Sequence, residues 1–237
     1  MTTWSRKRVA AAWGVHAYTA MGLPLALAQI WALQAGDVQL FWILQWTAVF
    51  VDATDGGLAR AARVKDVVPA FDGRKLDDIV DFLTFSLIPA LALPALGLVP
   101  YSWRWLAVVP ILASGYGFCQ ERAKTDTSFV GFPSYWNILL FYLWILQASP
   151  VTTAVSVVAL AIMVFVPLHY IYPTRAPLLK RVTITAGYLW GFAILAAAAW
   201  PTASWARPLA WASIAYPVYY VVLSGYHHRQ ITRRAVH

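Results

Sequence analysis

Apolar residues run along this chain in long blocks separated by short polar or Gly/Pro-rich breaks. Eight blocks stand out, at residues 13–34, 40–60, 76–99, 103–120, 132–148, 151–172, 184–200 and 205–226. Most approach the ~20 residues that a helix needs to cross the hydrocarbon core of a bilayer; block 132–148 is the short one. Gly36-Asp37, residues 97–100, Ser149-Pro150 and residues 201–204 carry the residue types that punctuate helices and read as tight turns. The pattern predicts an all-α fold, a polytopic membrane helical bundle of about eight transmembrane helices. There is no internal repeat or low-complexity linker, so residues 1–237 are expected to form a single integral-membrane domain. Residues 1–12, with Trp4, Arg6, Lys7, Arg8 and Val9, read as an interfacial segment ahead of the first span.

Composition sharpens this picture. Sixty per cent of the residues are hydrophobic and only 12% are charged, whereas a soluble domain carries about 25% charged residues. Net charge is +8, and of the 18 Lys and Arg only Arg104 and Arg207 fall on the far side when the spans alternate from a cytoplasmic start. This positive-inside bias places both termini in the cytoplasm. The basic residues cap hydrophobic helices and form no soluble basic face, so no nucleic-acid partner is expected; membrane lipids are. The apolar block after the N-terminus is of spanning length without an early small-residue cleavage site, so the first span is expected to stay in the protein. A single cysteine, Cys119, excludes an intramolecular disulfide and reads as a small apolar helix residue.

Against this background the acids are out of place. Asp52, Asp55, Gly56, Ala59 and Arg60 close the second block, and Gly73, Asp77, Asp78 and Asp81 open the third. An unpaired carboxylate inside a bilayer is expensive, so an acidic cluster there is a functional site by default. Asp52 and Asp55 stand at i, i+3, and Asp77 and Asp81 at i, i+4, so each pair shares one helical face. Two such faces opposed would converge four carboxylates at the cytoplasmic end of the second and third spans. An all-oxygen set suits Mg²⁺ or Mn²⁺, and two such ions about 3.5–4 Å apart serve phosphoryl chemistry. Asp78, about 100° around the helix from Asp77, faces away from that set. Gly56 and Gly73 remove side chains where a phosphate or nucleotide would approach backbone, and Arg60 offers a fork for phosphate or a neighbouring carboxylate. The structural alternative is a set of salt bridges to Arg60, Arg63, Arg74 and Lys75 at a helix end.

The run from Asp52 to Asp81 resembles the signature of the CDP-alcohol phosphotransferase family, Asp-x2-Asp-Gly-x2-Ala-Arg, a spacer, then Gly-x3-Asp-x3-Asp, with every fixed position present. The spacer between Arg60 and Gly73 is longer than is usual in the family and is similar to that of its bacterial phosphatidylcholine synthase branch. Lys124-Thr-Asp126 and the stretch from Gly131 to Trp136-Asn137 resemble the same branch. The resemblance implies transfer of a phosphatidyl group from CDP-diacylglycerol to choline with release of CMP, by a homodimer in the bacterial inner membrane. It implies metal-ligand roles for Asp52, Asp55, Asp77 and Asp81, with Asp81 also the general base. Asp52, Gly56, Ala59, Arg60 and Gly73 match the positions that shape the CDP pocket.

Choline's quaternary ammonium cannot donate a hydrogen bond, so it calls for aromatic faces and one carboxylate at most. Tyr116, Phe118 and Glu121, with Tyr135 and Trp136, are the candidates, and Arg122 and Lys124 are candidates for donor phosphates. Each also fits an interfacial or packing role. His16, His169 and the pair His227-His228 read as packing or surface residues, and Gly22, Gly115 and Gly117 allow close helix contacts. Two rivals remain. The same motif serves other acceptors, such as serine, glycerol 3-phosphate or inositol phosphate, and an acid cluster can also serve a divalent-cation transporter. Transport predicts mid-membrane carboxylates and repeated halves, and neither is seen here.

Overall fold

The computed structural model describes residues 4–121, 123–125, 127–173 and 178–235, which are helical apart from short connections and one two-stranded antiparallel sheet. The chain divides into two compact units, Met1–Ile88 and Pro89–His237.

The first unit begins with α1 (Arg6–Ala20) and α2 (Gly22–Gln34). The helix thus starts upstream of the apolar block, within the segment expected to lie at the interface. Met21 separates the two because Pro24 has no N–H to offer the Ala20 carbonyl. Trp4 ties the start down: its indole N–H donates to the Asp66 carbonyl at 3.1 Å, and its ring lies under the Arg8 and Arg63 guanidinium groups. Along α1 and α2 one narrow stripe is buried, comprising Ala12, His16, Thr19, Gly22, Ala26, Gln29 and Ala32. Its spacing of three and four residues defines one helical face.

That face packs on α3 (Val38–Ala61), which is capped by the Asp37 carboxylate accepting from the Leu40 amide. The spacer then forms a single turn, α4 (Val64–Val67), whose valines join Ala12 in a small apolar cluster. Asp72 accepts from the Arg74 and Lys75 amides and so starts α5 (Gly73–Asp81). Immediately after Asp81 the helix widens into a π-turn over Phe82–Leu87 before resuming as α6 (Ile88–Ala95). The Ile88 amide reaches back five residues to the Leu83 carbonyl. In the same pattern Thr84 would need the amide of residue 89, which is a proline. The buried Gln45 of α3 fills the gap, its Nε2 donating to the Thr84 carbonyl at 3.1 Å.

The second unit continues through a 3₁₀ segment (Tyr101–Ala107) into α7 (Val108–Cys119), then α8 (Trp136–Ile145), α9 (Pro150–Phe165), α10 (Lys180–Ala199), α11 (Ala206–Ser213) and α12 (Ala215–Ala235). Two expectations change here. Block 151–172 does not stay helical: Pro167 forces Val166 to extended backbone, and the chain becomes β2 (His169–Ile171), antiparallel to β1 (Ser128–Val130) with Phe129 opposite Tyr170. Block 205–226 is two helices, because Pro217 leaves the Ser213 carbonyl without an intrahelical donor. Gly131, at φ +84°, turns the chain where a Cβ would strike the Val164 carbonyl.

Among the described residues one helix, α10, is both long and apolar enough to cross a membrane by itself. Prolines divide several of the other blocks, whereas α3 is an unbroken helix of 24 residues that carries Asp52, Asp55 and Arg60. Large apolar side chains nevertheless face outward in both units, Phe50 in the first and Leu112, Leu189, Phe192 and Val222 in the second.

Replacing Gln45 with Leu strands the Thr84 carbonyl in a buried π-turn. The variant is expected to lose about 1–3 kcal/mol of stability, read as a lowered unfolding midpoint in detergent, whereas Thr47→Ala, at an exposed hydroxyl that bonds its own helix, should change it little.

Candidate metal centre

α3 delivers Asp52 and Asp55 from adjacent turns, and α5 delivers Asp77. Each offers a carboxylate oxygen within 4.8 Å of the others, making these three a potential metal-binding group among the described residues. Asp55 is only 6% exposed, and Asp52 and Asp77 are half-buried. Two like charges about 4 Å apart near a protein surface repel by roughly 4 kcal/mol, so the cluster calls for positive charge. Three carboxylates form a hard, all-oxygen donor set, which fits Mg²⁺ or Mn²⁺ and not the softer metals. The residues present therefore fit the ion that the spacing implied. Asp81 closes α5 at the edge of the π-turn, half-buried. Asp52, Asp55 and Asp77 are three of the four carboxylates expected of the site.

The first helix pair holds this arrangement. Thr19 Oγ1 donates to Asp55 Oδ2 at 2.8 Å in a buried hydrogen bond, and the preceding residue, Tyr18, shares a 2.8 Å hydroxyl contact with Thr54. Consecutive residues of α1 thus engage consecutive residues of α3. One turn earlier the His16 ring lies where a Gly73 Cβ would sit, 2.6 Å from its Cε1, and packs on Phe71. One turn later Gly22 makes room for the Val80 side chain. His16, Thr19 and Gly22 were legible only as small or polar residues spaced by three within an apolar block; their contacts were not.

These contacts give some motif residues a packing reason. Gly73 is small because His16 occupies the space, and Ala59 joins the apolar cluster of Ala12, Val64 and Val67. Gly56 and Gly57 are different. A Cβ on Gly57 would meet nothing within 4 Å, and one on Gly56 only the Arg60 Nη1 at 3.5 Å. This leaves the backbone open beside an exposed guanidinium.

The other candidate residues lie in the second unit. Tyr116 is exposed and leans on Phe165, with ring centroids 4.5 Å apart; Glu121 is exposed, and Phe118 and Lys124 are half-buried. Tyr135 is half-buried beside Tyr220. Trp136 is only 3% exposed, and its indole N–H donates to Ser114 Oγ at 2.7 Å. This bond ties the start of α8 to α7. Arg122 lies outside the described residues. His227 is buried, as a packing residue would be, and His169 contacts both Ser128 Oγ and His228.

No protein-family model matches the chain. It is 40% identical over 173 residues to the phosphatidylcholine synthase of Legionella pneumophila, covering 70% of this chain and 66% of that protein. It is 37% identical over 183 residues to the phosphatidylcholine synthase of Pseudomonas aeruginosa, covering 76% of this chain and 77% of the relative. The chain belongs to the phosphatidylcholine synthase family. A third relative of the same name, from Agrobacterium fabrum, is 34% identical over 213 residues, 86% of this chain and 84% of its own length. The match to this family agrees with the motif on α3 and α5.

If Gly73 serves mainly to admit His16, Gly73→Ala should destabilise the fold by about 1–3 kcal/mol through overpacking, and His16→Ala in the same chain should recover part of that loss. A double-mutant cycle on unfolding midpoints measures the coupling. Additive effects would show that Gly73 is small for another reason.

Proposed function

We propose that this chain transfers the phosphatidyl group of CDP-diacylglycerol to the hydroxyl of choline, forming phosphatidylcholine and releasing CMP. The observation that carries the reading is the convergence of Asp52, Asp55 and Asp77 from two helices, in a chain related to phosphatidylcholine synthases over most of its length. These three carboxylates, with Asp81, would hold two ions of Mn²⁺ or Mg²⁺. When bound, the cation supplies charge neutralisation for the diphosphate and the departing CMP.

The remaining roles belong to the chain's own groups. Asp81, the fourth proposed metal ligand, also takes the proton from the choline hydroxyl as that oxygen forms its bond to the phosphorus carrying diacylglycerol. The phosphorus–oxygen bond to CMP breaks in the same displacement. Gly56, with Gly57 beside it, leaves backbone open to the nucleotide; Asp52, Ala59, Arg60 and Gly73 complete the proposed CDP-facing set, with Arg60 offering a forked donor to phosphate. Tyr116, Phe118, Glu121, Tyr135 and Trp136 are the choline-facing candidates, and Arg122 and Lys124 the phosphate-facing ones. Of these, Trp136 is the weakest because its ring is enclosed. The outward apolar side chains support an integral membrane protein of about eight spans in the bacterial inner membrane. Both termini and the acidic site are on the cytoplasmic side, and the molecule works as a homodimer.

Purified protein in mixed micelles with CDP-diacylglycerol and Mn²⁺, offered choline, serine, inositol or glycerol 3-phosphate separately, is expected to incorporate choline alone. Asp81→Asn should lower turnover by about 100-fold or more, the scale of a general base. Incorporation of a different alcohol would keep the phosphotransferase reading and remove the choline assignment. In the same assay Glu121→Ala should raise the choline KM while leaving the CDP-diacylglycerol KM in place; equal changes in both would take Glu121 out of the choline pocket.

A further inference from the structure

Several helical threonines in this chain turn their hydroxyls back on their own helix, while Thr183 of α10 meets Tyr219 of α12 at 2.9 Å. Thr47, Thr54, Thr84 and Thr232 each donate to the carbonyl four residues earlier, the usual local outlet for a threonine inside a helix. Thr19 does not follow them. It is buried in α1, and its hydroxyl crosses to α3 to donate to Asp55 Oδ2 at 2.8 Å, 36 residues away. Its acceptor is the most buried member of the carboxylate triad.

We infer that Thr19 is a positioning residue for the metal centre: its hydroxyl fixes the rotation of the Asp55 carboxylate so that the three acids present their oxygens to one cation. The inference rests on the reading of Asp52, Asp55 and Asp77 as a divalent-cation site. A carboxylate accepts and never donates when ionised, so a fixed donor on Oδ2 selects the orientation in which the other acceptor sites turn toward the cation. Without it, one restraint on the rotation of the Asp55 carboxylate away from Asp52 and Asp77 is lost. Partners of this kind behind a metal ligand contribute 10–100-fold in metal affinity. Thr19 lies in the interior of the stripe of α1 whose neighbouring turns carry His16 against Gly73 and Gly22 against Val80. The donor is therefore anchored on a packed helix and not on a loop.

The test is Mn²⁺ binding to the full-length protein in detergent, followed by the electron paramagnetic resonance signal of free Mn²⁺, with unfolding midpoints measured in chelator. Thr19→Val and Thr19→Ala should weaken Mn²⁺ binding about tenfold or more, and Thr19→Ser should restore it. Tyr18→Phe removes the neighbouring hydroxyl contact between the same two helices; it should lower the metal-free midpoint yet leave Mn²⁺ affinity unchanged. Wild-type affinity in folded Thr19→Val or Thr19→Ala would overturn the inference, as would Tyr18→Phe weakening the metal as much as they do. Failure of wild-type protein itself to bind Mn²⁺, with Asp52→Asn indistinguishable from it, would overturn the metal-centre reading and this inference with it.

Discussion

Three carboxylates with oxygens within 4.8 Å of one another are held together against mutual repulsion, and the architecture of the first unit is arranged around that constraint. Like charges at this range disperse unless their backbones are fixed, counter-charge is supplied, or both. Fixing the backbones needs two helices, because one helix turn can place only Asp52 and Asp55 on a shared face. The third acid must come from α5, and α5 must be brought alongside without help from sequence proximity.

The first helix pair does this through residues selected by size as much as by polarity. His16 fills the space left by Gly73, Gly22 yields to Val80, and between them Thr19 reaches Asp55. Three successive turns of one helical stripe thus touch α5, α3 and α5 in order. Two of these contacts require an absent side chain on one partner. Both glycines therefore contribute close approach; neither has a positive φ. Tight packing of this sort transmits small displacements, so a methyl group added at either glycine acts on the acids through the backbone.

The π-turn that follows Asp81 extends the same logic. Widening the helix over Phe82–Leu87 alters the facing of every side chain after Asp81, ending the regular spacing that Asp77 and Asp81 share. The Thr84 carbonyl left without a helical donor is satisfied by Gln45, from the helix that also carries Asp52 and Asp55. The wide turn and the metal centre are thus anchored on the same element. An unsatisfied carbonyl in this interior would be costly, which explains why a glutamine sits fully buried among Phe41, Trp42 and Trp46.

Helical class, the identity of the acids and the exposure of an apolar surface were determined by the sequence alone. Each rests on local chemistry, through block length, carboxylates at helical spacing and a low charge content. The helix breaks at Met21, Val166 and Ile214 were also written locally, in Pro24, Pro167 and Pro217, but a hydropathy pattern does not register a missing N–H. Tertiary structure brought Asp52, Asp55 and Asp77 together, paired Ser128–Val130 with His169–Ile171 and enclosed Trp136. It also brought in His16, Thr19 and Gln45. Their partners lie 36 to 57 residues away, and periodicity specifies which face a residue occupies, while only packing specifies what that face meets.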